Sequence, residues 1–360
     1  MKFFYAILFI FIVFVILEIL ARLLYFLRTK KFFLRVVDPI GKATFFKEHP
    51  YCFYVKRENN EGIYPTNSHG YVGKIEPTVP GQRACVRFYF VGGSTTEEID
   101  LSLGPESHWP ALYTGKLNEH FPDLKFDCIN AACSGYTSAE SLSEFLYRGL
   151  DLRPHYLFVY HNVNDAWTVQ MRKEFRSDYS SARVVGRLKR PLLARAPQIP
   201  LSYLYQLLRR KLMAGFVHRG LMHYISDPPW TPAEYFDESR VEPFKRNIIN
   251  LVHICRLWGC TPIILKWEHA KSISFQTALY SGQPSSYENL YSSYIDKNNR
   301  ALKEIASQYG VMYYDLGPMA RDCFQPDGMH FTMVGRREFA RRLFEKSKTF
   351  FSVDLQTLRC

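Results

Sequence analysis

Residues 88–98 read FYFVGGSTTEE. The run opens as an apolar strand, breaks on Gly92 and Gly93, and then delivers Ser94, Thr95 and Thr96 ahead of two acids. A short apolar run bounded by glycines reads as a buried strand that turns into a helix. Glycine at the turn lets other parts of the chain come close. Either this is an ordinary strand-to-helix turn with a cap, or Ser94 is a nucleophile. Thr95 and Glu97 are read as caps of the following helix rather than as chemistry.

Working outward from this run, strand and helix alternate. ACVRFYFV is a strand and WPALYTGKLNEHF is helical in pattern; FDCINAAC is a strand and SAESLSEFLYRGL a helix. HYLFVYH and TPIILKW are strands, followed by the helical runs RVEPFKRNIINLVHICRLW and YENLYSSYIDKNNRALKEIASQYG respectively once an insertion is set aside. VMYYDLG is the last strand and MVGRREFARRLFEKSKTFF the last helix. Short continuous apolar strands between amphipathic helices predict a mostly parallel sheet covered on both faces. Ligands of such sheets bind beyond the carboxyl ends of the strands, which is where Ser94 stands.

The chain has 360 residues, 47% hydrophobic and 16% aromatic, enough for a sizeable core. Its amino-terminal run is not part of that core. Phe3 to Leu17 is fifteen uncharged, almost wholly apolar residues, and apolar character resumes after Glu18 as far as Leu27, interrupted by Arg22. About 20 such residues cross a bilayer as a helix. Glu18 and Arg22, four apart, can neutralise each other there. No small-x-small cleavage site follows, so the run is read as a retained anchor rather than a cleaved signal peptide. The expected organisation is an anchor at 1–28, a connector at 29–84, a catalytic domain at 85–350 with an insertion at 166–235, and a tail at 351–360.

The formal charge is +12. From Arg172 to Arg219 there are twelve Lys and Arg against two acids, Glu174 and Asp178: +10 over 48 residues. The insertion is thus either a solvated helical segment or a basic lid facing anionic lipid head groups or an anionic glycan. No nucleic-acid-binding module accompanies the charge, so a nucleic-acid partner is not expected. The spacing of the eight cysteines suggests neither a disulfide scaffold nor a zinc ribbon, and the dispersed histidines form no metal-ligand spacing. No cofactor and no metal are expected.

Four stretches recur at predicted strand ends: Gly92-Gly93-Ser94, NAACSGYTSAE with Gly135, HNVND with Asn164 and Asp165, and DGMHFTMVG with Asp327 and His330. They complete one another chemically. Serine is a poor nucleophile unless a base takes its proton. His330 can be that base, and Asp327 can fix its tautomer and stabilise the imidazolium. The backbone N–H groups of Ser94 and Gly135 and the side-chain amide of Asn164 can face a developing oxyanion. Each stretch alone is weak, since strand-GGS turns, D-x-x-H pairs and N-D turns have common structural roles. Their joint occurrence in order is what points to a site. Three further residues at the same edge, Asn162, His161 and Trp267, are candidates to line the pocket. His161 is read as a satisfied polar residue rather than a second base.

These stretches resemble those of a membrane-anchored SGNH hydrolase of the GDSL superfamily. FVGGSTTE is similar to the first block in its GGST form, NAACSGYTSAESL to the second, HNVND to the third and DGMHFTMVG to the last, and the upstream TNSHGYVG resembles a stretch often found before the nucleophile strand. The resemblance covers about residues 60–165 and 310–350. It implies a flavodoxin-like, three-layer α/β/α sandwich with a five-stranded parallel sheet. It also implies Ser94 as nucleophile, Gly135 and Asn164 as oxyanion donors, and Asp327 and His330 as the rest of the triad. Gly93 replaces the aspartate of the GDSL form, and Asn162 stands where a glycine is usual.

The implied activity is a serine esterase removing acyl groups, acetyl among them, from an envelope polysaccharide or a lipid-linked glycan. An O-acyltransferase with the same triad and a catalytically silent glycan-assembly module are the alternatives. The expected location is the membrane, with one amino-terminal span. The positive-inside count places the catalytic domain in the cytoplasm, because Arg22, Arg28, Lys30, Lys31 and Arg35 follow the span and only Lys2 and the amino terminus precede it. The resemblance to envelope proteins places it outside, so the side stays open.

Overall fold

A computed structural model of the chain describes residues 2–29, 46–59, 65–77, 85–98, 104–170, 174–181, 202–205, 208, 233, 235–270 and 286–358. Most of the basic insertion, and with it the reading of that segment as a lid, lies outside the described residues.

The chain divides into two units. The first joins Met1–Phe46 to Val185–Asp227. Its helix α1 (Lys2–Thr29) contains a 21-residue stretch, Phe4–Leu24, long and apolar enough to cross a membrane. The large apolar side chains of that stretch are exposed, the opposite of a core helix. Arg22 Nε donates to Glu18 Oε1 at 2.7 Å, as the spacing predicts. The other partners of Glu18 come from far along the chain. Its carboxylate accepts the Ser202 hydroxyl at 2.9 Å and the amides of Tyr203 and Leu204 at 2.8 Å each.

The second unit, Lys47–Val184 with Pro228–Cys360, holds the sheet. Near its start β1 (Phe46–His49) and β2 (Phe53–Lys56) form a two-stranded sheet. Then come β3 (Cys85–Gly92), α2 (Ser94–Glu97), α3 (Trp109–His120), β4 (Lys125–Asn130), α4 (Ser138–Glu144), β5 (Tyr156–Tyr160) and α5 (Val163–Gln170). After the insertion follow α6 (Glu242–Leu257), β6 (Thr261–Leu265), α7 (Ser286–Tyr309), β7 (Met312–Tyr314) and α8 (Met333–Leu358). The five strands β3 to β7 pair in the order β4-β3-β5-β6-β7, all parallel. This is the expected α/β/α sandwich.

Strand alternation explains the two covering layers. Phe88, Phe90, Tyr156, Phe158 and Tyr160 point to one face, where Trp109 and Tyr113 of α3 and Phe339 and Phe351 of α8 close over them. The Phe90 and Phe158 rings stack at 4.7 Å, and Trp109 meets Phe339 at 4.8 Å. Tyr89, Val91, Leu157, Val159 and Ile264 point the other way, under Phe145, Phe244, Ile248, Leu251, Leu302 and Ile305.

Register places the loops. Phe90 aligns with Asn130 and Gly92 with Tyr160, so the stretches beginning at Ala131 and His161 emerge on either side of Ser94. β3 is also where the strand order reverses, since β4 lies on one side and β5 on the other. Such a switch point opens a crevice at the carboxyl edge.

Candidate active site

Ser94 is the first residue of α2, a single turn whose N-cap is Gly93. The amides of Thr96 and Glu97 both donate to the Gly93 carbonyl at 3.0 Å. No side chain caps this turn, which corrects the expectation for Thr95 and Glu97. Tertiary partners claim them instead. Trp267 Nε1 donates to Thr95 Oγ1 at 3.3 Å, Trp109 Nε1 donates to the Thr95 carbonyl at 3.1 Å, and Glu97 turns to Ser134.

The loop after β7 is folded by its own aspartate. Asp327 Oδ1 accepts the amides of Met329 at 2.8 Å and His330 at 3.0 Å. That leaves Oδ2 facing His330 Nδ1 at 2.7 Å. His330 Nε2 lies 2.8 Å from Ser94 Oγ, across 236 positions of chain. Burial alone would raise the Asp327 carboxyl. The hydrogen bonds from the His330 ring and the two amides outweigh it and hold the group below the usual carboxylate range. An ionised acceptor at Nδ1 keeps the ring proton there and leaves the Nε2 lone pair toward the serine.

The second loop takes a left-handed backbone at Gly135, φ +82. A Cβ there would also come within 2.7 Å of the Tyr54 hydroxyl. That hydroxyl donates to the Ser134 carbonyl at 2.6 Å, and the Tyr136 hydroxyl donates back to the Tyr54 carbonyl. Lys56 Nζ, 3.6 Å from Glu97 Oε1, donates to the Ala132 carbonyl. β2 therefore supports this loop from behind, although the sequence reading treats residues 29–84 as a connector.

Asn164 stands on the first turn of α5. Its Nδ2 donates to the Tyr136 carbonyl at 2.8 Å and carries a second hydrogen. A Cβ at position 93 would sit 2.4 Å from that nitrogen, so glycine there lets Asn164 approach the nucleophile turn. Asp165 accepts the Ser138 amide and hydroxyl and the Tyr179 hydroxyl, tying the third loop to the start of α4. α4 itself begins with a capping box of Thr137 and Glu140.

The remaining named residues are placed differently. Trp267 is buried against Thr95, beside Ser94. Asn162 is buried and directs its amide to the Ile295 carbonyl and Asn299 Oδ1 on α7. His161 is buried against Ser141, its Nε2 2.7 Å from Ser141 Oγ. Among the described residues no three His, Cys, Asp or Glu side chains converge as metal ligands do. A groove of about 790 Å³ between α3 and α8, lined by Leu112, Lys116, Val334, Arg337 and Arg341, contains none of the residues above. The convergence of four loops marks this site.

Sheet, crevice and loops define a three-layer α/β protein with a serine at the switch point. The GDSL-like lipase/acylhydrolase family model matches residues 90–337, more than half of the chain, and the chain belongs to that family. It is an SGNH/GDSL serine hydrolase of the esterase type. Solved structures that resemble it include an acetylxylan esterase from Geobacillus stearothermophilus, 13% identical, covering 72% of this chain and 93% of that one at a TM-score of 0.42. A GDSL-like lipase from Bacteroides thetaiotaomicron is 12% identical, covering 76% of this chain and 91% of that one at 0.40. An alpha/beta hydrolase enzyme from the metagenome of Lake Arreo is 13% identical, with 72% and 94% covered at 0.41. No curated protein matches the chain in sequence.

Proposed function

We propose that the protein cleaves acyl esters, acetyl among them, on a cell-envelope glycan or lipid-linked glycan through an acyl-enzyme at Ser94. The observation that carries this reading is the continuous line Ser94 Oγ–His330 Nε2, 2.8 Å, and His330 Nδ1–Asp327 Oδ2, 2.7 Å. Ser94 Oγ gives its proton to His330 Nε2 and attacks the ester carbonyl carbon. The imidazolium is stabilised by Asp327. The carbonyl oxygen, now negative, accepts from the N–H groups of Ser94 and Gly135 and from Asn164 Nδ2. His330 then protonates the departing sugar oxygen, leaving the acyl group on Ser94. Water repeats the sequence, with His330 as its base, and frees the carboxylic acid.

The substrate class follows from α1 and from charge. A retained span keeps the domain at a membrane surface, where its effective concentration toward lipid-borne substrates is high. The net +10 between Arg172 and Arg219 suits an anionic glycan or head group. A chromogenic acetyl ester tests the chemistry: a burst of released chromophore is expected, and it disappears in Ser94→Ala. Acetate release from an acetylated envelope polysaccharide, lost in the same variant, tests the substrate. Net gain of acyl groups on an acceptor glycan would assign transfer in place of hydrolysis.

A further inference from the structure

The turn that carries Ser94 ends in two acids that this chemistry does not use. Glu97 and Glu98 are buried, 1% and 5% exposed, and a buried carboxylate needs partners. Their partners lie in opposite directions. Glu97 Oε2 accepts the Ser134 amide at 2.7 Å and the Ser134 hydroxyl, immediately before Gly135. Glu98 Oε1 accepts the Phe331 amide at 2.9 Å, immediately after His330, and Oε2 lies 3.1 Å from Arg336 Nε on α8. The Glu98 amide donates to the carbonyl of Ser94 itself at 3.0 Å.

Backbone geometry accompanies the split. α2 stops at Glu98, whose φ of 36° and ψ of 49° are left-handed. A residue with a Cβ rarely adopts that conformation, and it persists where surroundings over-determine it. Here the hydrogen bonds to Ser94 and Phe331 and the close approach of Arg336 supply the determination. An acidic side chain suits the task because its oxygens can accept from main-chain amides. Glu98 Oε1 does so although burial pushes the group from its usual 4.5 up to about 8, against the opposing pull of Arg336 and the Phe331 amide.

The geometry points to Glu97 and Glu98 as positioning residues, each registering one partner loop on the nucleophile turn: Glu97 the loop of Gly135, Glu98 the loop of His330. The role rests on the proposed parts played by Ser94, His330 and Gly135. Neither acid touches reacting atoms; Glu98 sets the base-to-serine separation and Glu97 the place of an oxyanion donor.

The test uses the detergent-solubilised full chain and a chromogenic acetyl ester, with Ser94→Ala alongside. Misplacing a reacting group by about 1 Å costs on the order of a hundredfold, so Glu98→Ala should lower kcat by about that factor with KM nearly unchanged. Glu97→Ala should lower kcat by about tenfold, again with KM nearly unchanged. Glu98→Gln keeps an oxygen for the Phe331 amide and should recover most of the loss. The His330 ring-proton resonance should move in Glu98→Ala and stay in Glu97→Ala. Unchanged kcat in both alanine variants, with Ser94→Ala inactive, would remove the positioning role and leave the serine chemistry standing. An active Ser94→Ala would remove the underlying reading instead. Should Glu98→Ala not fold, Glu98→Gln decides: folded and near parental kcat is the expected result, and folded but as slow as Ser94→Ala overturns the proposal.

Discussion

Two serine–histidine–aspartate groupings lie in this molecule. Ser94, His330 and Asp327 sit at the carboxyl edge of the sheet, with the His330 and Asp327 side chains 31% and 15% exposed. Ser141, His161 and Asp165 lie inside, each 1% exposed. In both, a histidine Nε2 meets a serine oxygen, at 2.8 Å and 2.7 Å. The carboxylates differ. Asp327 bonds its histidine at 2.7 Å, whereas the nearest Asp165 oxygen is 3.8 Å from His161 Nδ1, beyond hydrogen-bond range. Asp165 is committed to Ser138 and Tyr179. Burial pushes Asp165 from the usual 3.8 up to about 7 and His161 from 6.5 down to about 4, while Asp327 is held low. The inner group braces the second and third loops against each other. In the proposed mechanism the same residue types become reactive only where the acid is held low against the imidazole and an ester can reach the hydroxyl.

The comparison breaks most easily at the serines. Ser94→Ala should reduce esterase kcat by at least about 10³-fold. Ser141→Ala should leave kcat nearly unchanged and lower stability by about 1–2 kcal/mol, the cost of leaving buried His161 without its partner. Reversed outcomes would exchange the two groupings. Steady-state kinetics and denaturant titration read both.

Asp327→Asn should cost kcat about 10³-fold, because an amide at Nδ1 favours the wrong tautomer. Asp165→Asn should keep most activity, since an uncharged side chain can still accept from Ser138 and Tyr179. Next in size is Gly93→Ala. Its methyl group would meet Asn164 Nδ2 at 2.4 Å, so the amide must withdraw. A loss of about 10² in kcat follows if Asn164 donates to the oxyanion. Unchanged kcat would remove that donor from the mechanism.

The smallest effect is a change of slope. Asp165 is raised in the folded protein, so the folded state binds its proton more tightly than the unfolded chain. Its contribution to stability is full below about pH 4 and is lost as pH rises through about 7. Asp165→Asn lacks this loss and should gain stability relative to the parent between those limits, measured as the difference in Tm at pH 5 and pH 8. An identical pH dependence in the two proteins would show Asp165 to be ionised throughout.

The order of strands and helices was legible because it rests on local period and on short apolar runs such as FYFV and YLFVY. Ser94, Asp327 and His330 could be paired because each follows a recognisable strand end. What escaped depends on contacts between distant positions. Tyr54 and Lys56, in a stretch without periodicity, reach Ser134 and Ala132 some 80 and 76 positions away. Glu97 looks like a helix cap by spacing, yet the helix has one turn and the carboxylate goes to another loop. The partners of Glu18 at 202–204 could not be read from the span itself. His161, read from the sequence as a satisfied polar residue, meets Ser141 Oγ, as a polar residue ending a buried strand must find a partner.

The most direct measurement of the central claim is acid-quench mass spectrometry during turnover of a slowly deacylated ester. One acyl group per chain on the peptide containing Ser94, absent in Ser94→Ala and slow to form in His330→Ala, is the expected result. Turnover with Ser94 unmodified, or acyl found on Ser141, would contradict it.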